Sequence, residues 1–148
     1  MILLVEKLIL KCHRIRFLIL FGKEKYSLCS IFGSFSIKNA SRFYFEKGLT
    51  INDYVYINAA YGISLGENVS ISAGAKLISL KLDYVTGELY GHVGEPISIG
   101  NNVQIGAGAI ILPGVSICNN VIIGAGCIVS RSISEPGVYV GVPARKIR

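Results

Sequence analysis

The residue best suited to chemistry in this sequence is His92. It stands in "YGHVGEPISIG", well apart from the only other histidine, His13. An unperturbed imidazole titrates near pH ~6.5, so His92 can act as a general base at neutral pH. Asp83 and Glu95 lie on either side of it. A carboxylate on the distal ring nitrogen would fix the tautomer and favour the imidazolium formed when a proton is taken. Glu88 is a weaker candidate for the same task. The competing reading is an ordinary loop histidine among solvated loop acids.

A second group is basic. Ser130, Arg131, Arg145, Lys146 and Arg148 cluster late in the chain, and several cations together suit several phosphates. The plain alternative is a basic tail. The whole chain has net charge +6 and pI about 9.2, which favours anionic partners. No aromatic-plus-basic nucleic-acid motif accompanies that charge, so nucleic acid is not expected as a partner. The four cysteines, Cys12, Cys29, Cys118 and Cys127, show no CxxC spacing and no metal pattern with either histidine. They read as reduced thiols of a cytosolic protein.

The element that must carry these groups is legible in its period. From Ile97 to Ser130 an aliphatic residue falls at Ile99, Ile105, Ile111, Ile117, Ile123 and Val129, every sixth position. A second aliphatic or small residue stands two before each: Ile97, Val103, Ala109, Val115, Val121 and Cys127. That is the alternation of short strands with one face inward. "IGNNV" at Ile99 and "ICNNV" at Ile117 repeat one another 18 residues apart. Three strands joined by tight turns thus make one triangular coil, and coils stack about 4.8 Å apart.

Upstream the rhythm continues through Ile51, Ile57 and Ile63 and through Leu65, Ile71 and Leu77. Two extra residues bulge out within "INAAYGIS", and Phe43, Phe45 and Leu49 read as the start of the first coil. The rhythm breaks once, between Leu77 and Ile97, and a loop thrown from a rigid scaffold is a natural carrier of function. Residues 1–30 read as a helix and a connection. Charges at Glu6, Lys7, Lys11, Arg14 and Arg16 interrupt the apolar run, so it is read neither as a secretory signal nor as a membrane span. The segment packs on the solenoid or on a neighbouring subunit. The alternative is peripheral contact with an anionic membrane surface.

The hexapeptide rungs, the His-bearing loop and the closing "PGVYVGVPARKIR" resemble the left-handed β-helix acyltransferases, in particular the sugar O-acetyltransferases and the serine-acetyltransferase-like enzymes. The resemblance covers about residues 35–148. The fold expected from it is all-β: a three-sided left-handed parallel β-helix over 31–148, with a helical segment over 1–30, a protruding loop at 79–96 and a tail at 134–148. The resemblance implies a homotrimer, acetyl-CoA lying between adjacent solenoids, no metal, and a loop histidine that activates the acceptor for direct attack on the thioester.

Residue by residue, the resemblance assigns the base to His92, with Asp83 or Glu95 orienting it. Asn58, with Tyr61 and Tyr84, would meet the sugar. Gly106, Ala107, Gly124 and Ala125 would run along the pantetheine arm, and Ser130, Arg131, Arg145 and Lys146 would hold the nucleotide end. Many sugar acetyltransferases carry "HD" where this chain reads Leu82-Asp83, and a histidine nearer the next rung is similar to the serine enzymes. The long helical domain that precedes the solenoid in those enzymes has no counterpart in residues 1–30. The function expected is acetyl transfer to a sugar hydroxyl in surface polysaccharide or lipopolysaccharide assembly, in the cytoplasm or at the inner face of the membrane. The alternatives are a serine-acetyltransferase-like or sugar N-acetylating enzyme and a non-catalytic solenoid scaffold.

Overall fold

The protein is described here from a computed structural model covering residues 2–83 and 91–148, with side chains from residue 5 onward. Alternating inward aliphatic residues wind it into a left-handed parallel β-helix of five coils. The first coil holds β1 (Cys29–Ile31), β2 (Phe35–Lys38) and β3 (Phe43–Phe45). The second holds β4 (Leu49–Ile51), β5 (Val55–Asn58) and β6 (Ile63–Leu65). In the third, β7 (Ser70–Ile71) and β8 (Lys76–Ile78) are followed by an excursion, β9 (Leu80–Leu82) and β10 (His92–Gly94), before β11 (Ile97–Ile99) closes the turn. The fourth is β12 (Gln104–Ile105), β13 (Ile110–Ile111) and β14 (Ser116–Ile117). The fifth is β15 (Val121–Ile123), β16 (Ile128–Val129) and a bridge from Ile133 to Ile117. The tail adds β17 (Gly137–Val140), parallel to β15, and β18 (Arg145–Lys146), antiparallel to β17.

The coils stack into three faces. The first face is ordered β1-β4-β7-β12-β15-β17-β18, the second β2-β5-β8-β13-β16 and the third β3-β6-β11-β14. Register sets like on like. Ile31, Ile51, Ile71, Ile105 and Ile123 form one column that ends on Tyr139. Ile37, Ile57, Leu77, Ile111 and Val129 form another. These aliphatic residues are almost wholly buried, and each contributes about 1.5–3 kcal/mol on leaving water.

The edges are held by side-chain ladders. Asn68, Asn102 and Asn120 take left-handed backbone at the edge between the third and first faces, where a short polar side chain tolerates positive φ. Their amides link coil to coil, Asn68 Nδ2 to Asn102 Oδ1 at 3.1 Å and Asn102 Nδ2 to Asn120 Oδ1 at 3.1 Å.

The solenoid begins earlier than the aromatic cluster at Phe43 suggests. Cys29 to Ile37 already forms rungs, and only Ile31, Phe35 and Ile37 mark them in the sequence. α1 (Ile2–Tyr26, with non-helical backbone at Gly22) lies across the open end of these rungs. Phe17 is fully buried, its ring 5.8 Å from Phe35 and 5.7 Å from Phe45. Phe21 stacks edge-on to Phe43 and Phe45. Arg14 donates to the Ile31 carbonyl and Lys25 to the Phe45 carbonyl, satisfying acceptors of the terminal rung that have no coil above them.

Candidate active site

The break in the rhythm is an antiparallel hairpin springing from the edge between the second and third faces. His92 pairs with Leu82, Val93 with Lys81 and Gly94 with Leu80. Residues directly opposite share a side of the ribbon, so His92 and Leu82 project one way and Lys81 and Val93 the other. Glu95 follows the second set, its carboxylate 3.8 Å from the Lys81 ammonium. The Asp83 N–H donates to Gly91 O at 2.8 Å, which sets that residue opposite Gly91 rather than His92. His92 itself is exposed.

The two-residue bulge read in "INAAYG" forms the corner just above the hairpin, and one buried residue ties the two together. Ser79 is fully buried. Its N–H and hydroxyl both donate to the Asn58 carbonyl, at 3.0 and 2.9 Å. Its hydroxyl also accepts the Tyr61 N–H at 2.9 Å, and its carbonyl accepts the Glu95 N–H at 3.2 Å. The Tyr61 hydroxyl then donates to the His92 carbonyl at 3.0 Å. Arg42 braces the bulge from the coil above by donating to Ala60 O. Gly94 is required here, because a Cβ would collide with the Ser79 carbonyl and the Tyr61 ring. The Asn58 side-chain oxygen accepts the Ala60 N–H and the Asn39 amide, both at 3.3 Å.

Asn58, Tyr61 and His92, separate in the sequence, therefore form one network, and its hub is Ser79. Sequence reasoning passed over Ser79, which stands two residues after Leu77 where the coil above carries the buried Ala59. Tyr84 and Glu88 lie outside the described residues.

The remaining candidates divide between two edges. Ser130 and Arg131 sit on the hairpin's own edge, two coils further on, both exposed. Gly106, Ala107, Gly124 and Ala125 lie on the edge between the first and second faces. A Cβ on Gly106 would come 2.6 Å from the Ala125 nitrogen, so stacking alone demands glycine there. Ala107 and Ala125 are exposed on successive coils, with open space around Gly108 and Gly126 beside them, leaving a smooth strip along this edge. The tail meets the end of that strip. Ala144 N–H donates to Ile128 O at 2.9 Å, and Ile128 N–H donates to Gly141 O at 3.2 Å. Arg145 is exposed, with one guanidinium nitrogen 3.1 Å from the Ala144 carbonyl. Lys146 is held by Glu135 at 2.8 Å. That hydrogen bond keeps the Lys146 ammonium above its usual pKa and the Glu135 carboxyl below its own. Among the described residues no three His, Cys, Asp or Glu side chains gather as metal ligands.

Comparison with known proteins agrees with this architecture. Residues 96–131 match the bacterial transferase hexapeptide (six repeats), and residues 55–77 match the hexapeptide repeat of succinyl-transferase. No curated protein sequence matches the chain significantly. Among solved structures, a galactoside acetyltransferase in complex with coenzyme A is 27% identical, covers 94% of this chain and 81% of its own, and has a TM-score of 0.66. A maltose O-acetyltransferase from Clostridium difficile 630 is 24% identical over 99% of this chain and 87% of its own, with TM-score 0.56. AntD, an N-acyltransferase from Bacillus cereus in complex with dTDP and 3-hydroxybutyryl-CoA, is 24% identical over 84% of this chain and 85% of its own, with TM-score 0.59. At 24% identity the last two speak for the fold alone.

Proposed function

We propose that this chain, which resembles the left-handed β-helix acyltransferases in repeat and in fold, transfers an acetyl group from acetyl-CoA to a sugar hydroxyl. The observation that carries the reading is the hairpin: at the one interruption of the solenoid it presents His92 beside the Asn58–Tyr61 bulge. The transferase repeats on both sides of it and the likeness to a coenzyme A-bound galactoside acetyltransferase support the donor.

In this reading the His92 imidazole removes the acceptor hydroxyl proton as the oxygen attacks the thioester carbonyl. A C–O bond forms, the C–S bond breaks as the tetrahedral oxyanion collapses, and the imidazolium returns its proton to the departing thiolate. No acyl-enzyme and no metal enter this scheme. Tyr61 and Asn58 contact the sugar. Glu95 follows the opposite side of the ribbon from His92 and pairs with Lys81, and Asp83 stands opposite Gly91, so neither is assigned to orient the imidazole. The pantetheine arm fits the strip at Ala107 and Ala125, where nothing overhangs Gly108 and Gly126. Arg131 and Arg145 suit the phosphates better than Lys146, whose ammonium already has a carboxylate.

The strip at Ala107 and Ala125, with the tail at its end, stands on one edge of the solenoid, and His92, its bulge and Arg131 stand on another. A site that draws on both is completed by packing the hairpin edge of one copy against the strip of the next, which supports a homotrimer. The acceptor we assign belongs to surface polysaccharide or lipopolysaccharide assembly, with the enzyme on the cytoplasmic side.

Calorimetric titration with acetyl-CoA tests the donor without knowledge of the acceptor. Binding near one per chain, weakened in Arg131→Ala, is expected. Absence of binding at millimolar ligand would leave the scaffold reading. With binding established, release of free thiol on a panel of glycans tests the transfer, and His92→Ala should lower turnover by about 10²–10⁴-fold.

A further inference from the structure

α1 carries two apolar stripes. Leu10, His13, Phe17 and Phe21 face the solenoid. Val5, Leu8, Cys12, Ile15 and Ile19 recur at alternating steps of three and four on the opposite side, and all are exposed, Leu8 at 61% and Ile19 at 78%. A helix apolar on both sides is normally covered on both. Phe32 and Tyr54 are exposed on the neighbouring turns. With Glu6, Lys7, Ile9 and Asp53 they line a cleft of about 460 Å³ beside the helix.

Charge decides what covers this face. α1 holds six cations, Lys7, Lys11, Arg14, Arg16, Lys23 and Lys25, against Glu6 and Glu24, and so supplies +4 of the chain's +6. The three-four spacing could serve as a coiled-coil seam for a second copy. However, Ile9, Lys11, Arg16 and Leu18 flank it with no acid among them, and a parallel pairing would set Lys11 against Arg16. An anionic surface accepts the aliphatic stripe and its cationic borders at once. No helix among the described residues is long and apolar enough to cross a membrane, so the helix would lie along the surface.

We infer that the outer face of α1, with Phe32 and Tyr54 beside it, docks on an anionic lipid bilayer. Val5, Leu8, Ile15 and Ile19 enter the boundary of the acyl chains, and Lys11 and Arg16 meet the lipid phosphates. This inference stands whether or not the chain transfers acetyl groups.

The test is co-sedimentation of the full chain with vesicles of phosphatidylcholine alone and of phosphatidylcholine mixed equally with phosphatidylglycerol. Binding to the mixed vesicles is expected. It should weaken roughly tenfold or more in Lys11→Ala/Arg16→Ala, at high salt, and in Ile19→Glu. The melting temperature and light-scattering mass of Ile19→Glu should match those of the parent. Absence of binding to the mixed vesicles, or equal binding to neutral ones, overturns the inference. So does a fall in mass of Ile19→Glu, which would identify a second copy as the occupant.

Discussion

At the residue scale, the Tyr61 hydroxyl holds the His92 carbonyl, and its ring, packed against Gly94, keeps a part exposed for contact with an acceptor. Tyr61→Phe removes the first task and keeps the second. On the proposed function, kcat should fall about 3–10-fold, the worth of one hydrogen bond, with KM for the acceptor nearly unchanged. Steady-state kinetics would separate the two, and Tyr61→Ala should impair both. The cysteines give a prediction independent of catalysis. Burial pushes the Cys29 thiol from its ordinary 9.0 up to about 11 and raises Cys127 as well, whereas Cys12 is exposed. A thiol reagent near pH 8 should therefore label Cys12 first. Because the folded pKa of Cys29 lies above the unfolded one, its contribution to stability is full below pH ~9 and is lost as pH rises towards ~11. Cys29→Ala should flatten the alkaline limb of a melting-temperature profile over that window.

At the scale of elements, the hairpin and α1 solve different problems. The hairpin is positioned by Ser79, whose hydroxyl serves the bulge and the strand above it together. Ser79→Ala leaves the Tyr61 N–H without its acceptor and should cost about 1–3 kcal/mol in denaturant unfolding, together with turnover. α1 closes the end of the solenoid with Phe17, and Phe17→Ala should cost about 3–5 kcal/mol. It should also expose Phe35 and Phe45, which dye binding to apolar surface would report. The six-residue period stops at Leu77 and resumes at Ile97, which marks an excursion there in the sequence, but its antiparallel pairing is visible only in the structure. The first coil is faint in the sequence, because Cys29, Ser30 and Gly33 do not carry the repeat's aliphatic pattern.

At the scale of the molecule, the strip at Ala107 and Ala125 lies on one edge, and His92 and Arg131 lie on another. On the proposed function, light scattering should give close to three times the 16.0 kDa chain mass. A variant that dissociates into single chains while keeping its melting temperature should lose activity, since neither edge then completes the site. Retained activity in such a variant would mean that one solenoid suffices.

The sequence by itself determined the solenoid. A period of six with inward aliphatic residues is a local rule, repeated often enough that Ile105, Ile111 and Ile117 have no other common surface to share. It also singled out the stretch that interrupts the rungs, and His92 within it. The tertiary structure alone decided which residues meet across that interruption. Tyr61 reaches His92 over 31 positions of chain, and Ser79 joins both through main-chain groups that no side-chain pattern announces. It also decided that Lys146 is already paired with Glu135 and that Phe17 stands over the aromatic end of the helix. Periodicity is written in side chains, so it can be read along the chain. Contacts through backbone carbonyls and across stacked coils depend on where the chain returns, and that is fixed only once the coils are wound.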